Sequence, residues 1–134
     1  MKKQNFLLTL GTTLLLTGTL YAQDGAALFD AKCAACHQTS RPSDMSTLVA
    51  PPVMGVMRHV KMKYTTKEEA VAFIADYALD PQVSKAVCMP QKIKRFGLMP
   101  SQKDKVSKDE LQTIASWMYD NFPSKGFQGM GKGA

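Results

Sequence analysis

Cys33-Ala34-Ala35-Cys36-His37 constrains this chain more than any other stretch. Two thiols three residues apart lie on one side of a helical turn, so both can bond to the same edge of a flat partner. The histidine directly after them is carried under that partner, within reach of whatever sits at its centre. C-x-x-C-H is the attachment signature of a c-type haem: the thiols add to the two vinyl groups and the imidazole takes an axial place on iron. Three other chemistries share part of the pattern. A zinc site needs about four ligands, and the chain offers one further Cys, Cys88, and one further His, His59. A C-x-x-C redox pair is expected beside a βαβ pattern, which the chain lacks. A plain disulfide is the third, and the leader and Met-Pro loop described below favour haem over it.

A covalent haem in a bacterial chain is attached outside the cytoplasm, and the N-terminus fits that. Met1-Lys2-Lys3-Gln4-Asn5 is a short basic head, Phe6 to Leu20 is apolar with Thr and Gly interspersed, and Tyr21-Ala22 supplies a small residue for cleavage. Residues 1–22 therefore read as a secretory signal peptide cut between Ala22 and Gln23. The run is short for a bilayer span, an uncleaved anchor being the alternative. No Cys follows the cut, so this leader carries no lipid attachment. Residues 23–123 form one domain, and 124–134, with Gly126, Gly129, Gly131 and Gly133, read as a flexible tail. The 17 Lys and Arg against 11 Asp and Glu give +6, and losing Lys2 and Lys3 with the leader leaves +4. Aromatic residues make up only 8 % of the chain, so a haem would supply much of its apolar centre. The basic residues follow no base-reading motif, which excludes a nucleic-acid module.

The remaining pattern is all-α. Asp24 caps a helix expected from Gly25 to about Cys36, with Gly25, Phe29, Cys33 and Cys36 on one stripe. A glycine in that stripe lets a second helix cross closely, and Phe29 fills the crossing. Residues 38–64 lack convincing periodicity, and Ala50-Pro51-Pro52-Val53-Met54-Gly55 reads as loop wrapping the haem. Thr65 with Glu68, or Thr66 with Glu69, is a capping box for a helix running to Leu79. Asp80-Pro81 stops it and starts another through Val83 and Val87 to Cys88. Pro90 interrupts that segment, and Gln91 to Phe96 fits one further turn closed by Gly97. Ser107 with Glu110 is a second capping box, followed by the stripe Leu111, Ile114, Ala115, Met118 and Phe122, with Trp117 beside it, ended at Pro123. Cys88, the odd cysteine, reads as a buried residue at the border of an apolar helix face; a bridging or reactive thiol is the alternative.

Haem iron with one histidine has a sixth position to fill, and the candidates are Met99, Met89 and His59, or an open site. Met99-Pro100 lies in a loop 8 residues before Ser107, whereas Met89-Pro90 lies 18 before it within an expected helix. The loop position and the fixed backbone of Pro100 favour Met99. Met54, Met57, Met62 and Met118 read as core filling.

Gly25 and Phe29, Cys33 to His37, Ala50 to Gly55, Gly97-Leu98-Met99-Pro100, and Ile114 with Trp117 together resemble the class I c-type cytochromes. The likeness covers residues 24–122. It implies one covalent haem c, a small fold in which the first and last helices cross at Gly25, Phe29, Ile114 and Trp117, and intermediate helices and loops around the haem. It implies that the Pro51 carbonyl orients His37. Ala50 stands where the family often has Gly, and Trp117 where Tyr is usual. The region from Thr65 to Phe96, with Cys88-Met89-Pro90, departs from the pattern.

A carrier with Cys33 and Cys36 bonded to haem, and His37 and Met99 on iron, has no open place for substrate and so shuttles single electrons rather than acting as an enzyme. The resemblance implies a periplasmic respiratory carrier working between, for example, a cytochrome bc1-type donor and an oxidase or peroxidase acceptor, touching membranes only through these partners. Lys92, Lys94, Arg95, Lys103, Lys105 and Lys108, against the single Asp104, would dock acidic partner surfaces. The alternatives are the haem part of an enzyme whose labile Met opens iron to peroxide or a small gas, and a haem-based sensor.

Overall fold

A computed structural model of the chain describes residues 24–127. The expected leader lies outside the described residues, as does the tail from residue 128. Among the described residues there are five α-helices and no strand: α1 (Gly25–Lys32), α2 (Val53–Lys63), α3 (Lys67–Leu79), α4 (Pro90–Phe96) and α5 (Lys108–Asn121), with one 3₁₀ turn at Met45–Thr47. None of these helices is long and apolar enough to cross a membrane. The all-α expectation holds.

The frame is the packing of α5 against α1 and α3. Asp24 caps α1 through its carboxylate, which accepts from the Ala26 amide at 3.0 Å. Gly25 lies so close to α5 that a Cβ there would stand 2.4 Å from the Trp117 Cβ and 2.9 Å from the Thr113 carbonyl oxygen. Phe29, buried one turn later, packs against the Trp117 ring with centroids 5.2 Å apart and the planes tilted by 42°, and Ile114 is buried alongside. The expected crossing is present with the residues named for it. Both capping boxes form as well: Thr66 with Glu69 opens α3 and Ser107 with Glu110 opens α5, side chain and backbone bonding reciprocally in each.

Three local expectations are corrected. The stretch read as continuous loop contains α2, whose Val53, Met57 and Val60 are fully buried at spacings of four and three. Pro52 sits as its N-cap, where a missing N–H costs nothing, and Gly55 is accommodated inside it. The helix expected through Val83 to Cys88 is a turn instead. Lys85 reaches back to Asp76 at 2.9 Å and Asp80 at 2.8 Å, Gln82 bonds Asp80 at 2.6 Å, and Val83 stays 64 % exposed. Pro90 begins α4 at its first position rather than interrupting a helix, and Gly97 closes α4 with φ of +78°. Beyond α5, Ser124 bonds the Met54 sulfur at 3.7 Å and Phe127 lines a cavity that α2 and α4 also border.

Candidate haem site

The helix expected to run through Cys36 ends at Lys32, and the two thiols sit on the turn that follows. Cys33 is the C-cap, and the Cys33 and Ala34 amides both donate to the Phe29 carbonyl, at 2.8 and 3.0 Å. The Cys36 and His37 amides then donate to the Cys33 carbonyl, at 3.1 and 2.9 Å. Tightening of this kind is how a helix end satisfies its last carbonyls. It keeps both thiols and the imidazole within one compact turn, anchored on the buried Phe29. Cys33 is half-buried against the core and Cys36 is exposed, and neither is in a disulfide. Burial, with the Cys36 charge adding to it, pushes the Cys33 thiol above its ordinary pKa.

His37 is the best-positioned group of the site. Its Nδ1 donates to the Pro51 carbonyl at 2.8 Å. A carbonyl can only accept, so the proton is on Nδ1 and the Nε2 lone pair is left for a metal. Burial lowers the pKa of the ring, the Pro51 bond opposing it in part, so the imidazole is kept neutral. Pro51 is fixed by its neighbours: the Val53 amide donates to the Gln38 carbonyl at 3.0 Å, clamping the start of α2 to the residue after His37. The contact implied by the family resemblance is therefore present here despite Ala50.

The three candidates for a sixth ligand are placed differently. Met99 is half-buried against the core, in an irregular stretch between Gly97 and Pro100. That stretch is pinned to the end of α3: the Ser101 hydroxyl donates to the Leu79 carbonyl at 2.6 Å and the Gln102 amide to the Ala78 carbonyl at 2.8 Å. Met89 is the N-cap of α4 and 47 % exposed. It lines, with His59, a cavity of about 170 Å³ between α2 and α4 that also touches Pro51, Val56, Cys88 and Phe96. Cys88 is half-buried there, its thiol pushed up by burial with Lys92 opposing. Its setting is a loop beside that cavity, not a helix face. A larger, open depression of about 570 Å³ over the outer face of α5 contains none of these residues.

Of the basic collar, Lys94, Arg95, Lys103, Lys105 and Lys108 are exposed and Lys92 is half-buried. The cavity adds Arg41 and Arg58 to the basic residues near the site, and nothing in their sequence spacing singled them out. Among the described residues no three His, Cys, Asp or Glu side chains come together as a metal cluster. Two unbridged thiols, one imidazole with its Nε2 free, and apolar flanks are the donor set of a covalent haem.

An uncharacterized protein of Aquifex aeolicus (strain VF5) is 31 % identical over 113 residues, covering 75 % of this chain and 74 % of the relative. No solved structure matches. Residues 21–118 match the family described as cytochrome C oxidase, cbb3-type, subunit III. The chain belongs to that family and is a small monohaem c-type cytochrome, an electron carrier that works through covalent haem c.

Proposed function

We propose that this protein is a periplasmic shuttle whose haem is bonded to Cys33 and Cys36 and held axially by His37 and Met99. The observation that carries the reading is the 2.8 Å bond from His37 Nδ1 to the Pro51 carbonyl, which fixes the tautomer and leaves Nε2 to iron. Haem supplies one-electron chemistry at iron; the chain's part is to orient its ligands and exclude water. Met99 is favoured over Met89 because a ligand must be held. Two long-range bonds pin the Met99 stretch to α3, while Met89 is half in solvent at a helix end. A thioether opposite imidazole favours the ferrous state, raising the potential above that of a bis-histidine haem. The leader read in residues 1–22 is the ground for a periplasmic location. Exposed Lys94, Lys103, Lys105 and Lys108 support weak, salt-sensitive docking to acidic redox partners, an oxidase among them as the family description would have it.

The test is an optical and mass-spectrometric one. Denaturing mass spectrometry should find the mature chain plus one haem, and the oxidised protein should show the weak red-end band of Met-to-iron bonding, without any shift on adding carbon monoxide. Met99→Ala should abolish the band, lower the potential and admit carbon monoxide while haem stays attached. If Met89→Ala does so instead, Met99 is the wrong ligand; if wild type binds carbon monoxide, a gas- or peroxide-reactive haem replaces the shuttle.

A further inference from the structure

Residues 124–134 read as a flexible tail from their glycines, yet the part that the structure describes turns back onto the body. Phe122 ends α5 as its C-cap, its ring edge-on to Trp117 at 5.3 Å. Pro123 follows, where the helix cannot continue. The Ser124 hydroxyl then bonds the Met54 sulfur of α2 at 3.7 Å, and the Phe127 amide donates to the Ser124 carbonyl at 3.1 Å, closing a tight turn. Gly126 makes that turn with φ of +87°, a left-handed conformation that side chains resist. A Cβ there would meet nothing within 4 Å, so this glycine serves the backbone and not a close approach. The turn delivers one ring. Phe127 is half-buried in the lining of the cavity between α2 and α4, which it shares with Met54, Pro51 and Cys88. Among the described residues it is the one contribution to that lining from beyond α4.

This segment is held lightly. A thioether is a weak acceptor, Ser124 to Gly126 are exposed, and the half-buried phenyl ring is the main apolar contribution. The α2 wall is firmer, anchored by the fully buried Val53, Met57 and Val60. A segment with few buried contacts opens and recloses at small cost while the core stays folded.

We propose that residues 122–127 are a strap with Phe127 as its stopper, closing the cavity between α2 and α4 and setting how readily water and small solutes reach the Cys88 thiol and the Pro51 carbonyl. Pro51 orients His37, so the strap guards the anchor of the imidazole together with the thiol that haem attachment leaves over. The proposal rests on the haem reading in one respect. With Cys33 and Cys36 bonded to haem, Cys88 is the single free thiol of the three.

The test is alkylation of the native holoprotein with iodoacetamide, read by mass spectrometry, each rate divided by that of the same variant unfolded in denaturant. When opening is fast, labelling of Cys88 tracks the population of the open form. Phe127→Ser should label about five- to tenfold faster than wild type, the shift expected from giving up the burial of half a phenyl ring. Gly126→Ala should do the same with the ring intact, because it misaims the turn. Phe127→Leu refills the wall and Gly126→Asn tolerates positive φ, so both should stay near wild type. Deleting residues 128–134 should change nothing. Opening the strap exposes little surface, so the added labelling should be flat in low denaturant. The proposal is overturned if Phe127→Ser labels no faster than wild type, or if deletion of residues 128–134 speeds labelling as much. It is overturned equally if the added labelling climbs steeply with denaturant, the mark of global unfolding. Failure of the haem reading would show separately, as wild-type protein with three labelled thiols and no haem mass.

Discussion

Two parts of this small fold hold their shape by different means. Where α1 crosses α5, Gly25, Phe29 and Ile114 are buried and interlock with the half-buried Trp117. From Asp80 to Pro100 there is one helix of seven residues, an exposed ion cluster, and the Met99 stretch, joined to the end of α3 by bonds from Ser101 and Gln102. Each part depends on a glycine, for opposite reasons. Gly25 has ordinary backbone angles but no room for a Cβ, the Trp117 Cβ being 2.4 Å from where it would be. Gly97 has open space around it but a φ of +78° with ψ of 176°, a conformation essentially reserved for glycine. The crossing is rigid through packing. The Met99 stretch is directed by the backbone at Gly97 and by its bonds to the end of α3.

The largest effect should come from hollowing the crossing. Phe29→Ala removes a fully buried ring from against Trp117 and should cost about 3–5 kcal/mol in denaturant unfolding of the holoprotein. Met89→Ala, at a half-exposed helix end, should cost less than about 0.5 kcal/mol. Comparable costs would show that the two parts are not separately held. The glycine pair comes next. Gly25→Ala should cost about 1–3 kcal/mol by overpacking, with the red-end Met-to-iron band intact. Gly97→Ala should cost a similar amount, about 1–3 kcal/mol, through strain, but should also weaken that band by re-aiming the backbone two residues before Met99. If Gly25→Ala disturbs the band and Gly97→Ala does not, the two roles have been assigned the wrong way round.

What could be read from sequence follows the same division. The helices were legible because Gly25 and Phe29 share one stripe, Ile114 lies on another with Trp117 beside it, and Thr66 with Glu69 and Ser107 with Glu110 mark helix starts chemically. That these two stripes cross was implied by the family resemblance. His37 was legible from the C-x-x-C-H spacing, and its Pro51 partner only through the resemblance to the class I c-type cytochromes. α2 was hidden although Val53, Met57 and Val60 carry the helical period, since Pro51, Pro52 and Gly55 signal a loop locally and burial decides otherwise. The segment after Asp80 misled in the other direction: Val83 and Val87 share a helical spacing, yet the ion pairs of Lys85 hold a turn and leave Val83 in water. Of the cationic cavity, Lys92 and Arg95 were read as part of the basic collar, but the cavity itself was not. Arg58 on α2 and Lys92 and Arg95 on α4 border one space, and Arg41 joins them from the loop before the Met45–Thr47 turn.

A smaller effect belongs to the start of α5. Ser107 Oγ accepts from the Glu110 amide at 3.2 Å, and the Ser107 amide donates to Glu110 at 2.8 Å. Ser107→Ala should cost about 1 kcal/mol without touching the red-end band, because the cap stabilises the scaffold and not the ligand. A change in the band would join α5's first turn to the Met99 stretch and weaken the comparison.

The smallest effect tests the ion cluster that replaces the expected helix. Lys85 donates to Asp80 at 2.8 Å and Asp76 at 2.9 Å, and Gln82 also donates to Asp80. The Asp80 carboxyl is held below its ordinary value, first by the Lys85 bond and then by Gln82. Lys85 is held above its own, first by Asp80 and then by Asp76. The lowered carboxyl contributes stability above its unfolded pKa and loses it as pH falls through the folded value. The raised ammonium contributes below its unfolded pKa and loses it as pH rises through the folded value. The pair therefore gives a plateau across neutral pH that erodes at both the acid and the alkaline end. These groups are at the surface, where water and salt screen them. Lys85→Met should narrow the plateau slightly in dilute buffer and leave unfolding unchanged in molar salt. A loss that persists in molar salt, and matches that of Ser107→Ala, would mean the turn is held by packing after all, and the contrast with the crossing would fail at the point where the sequence was misread.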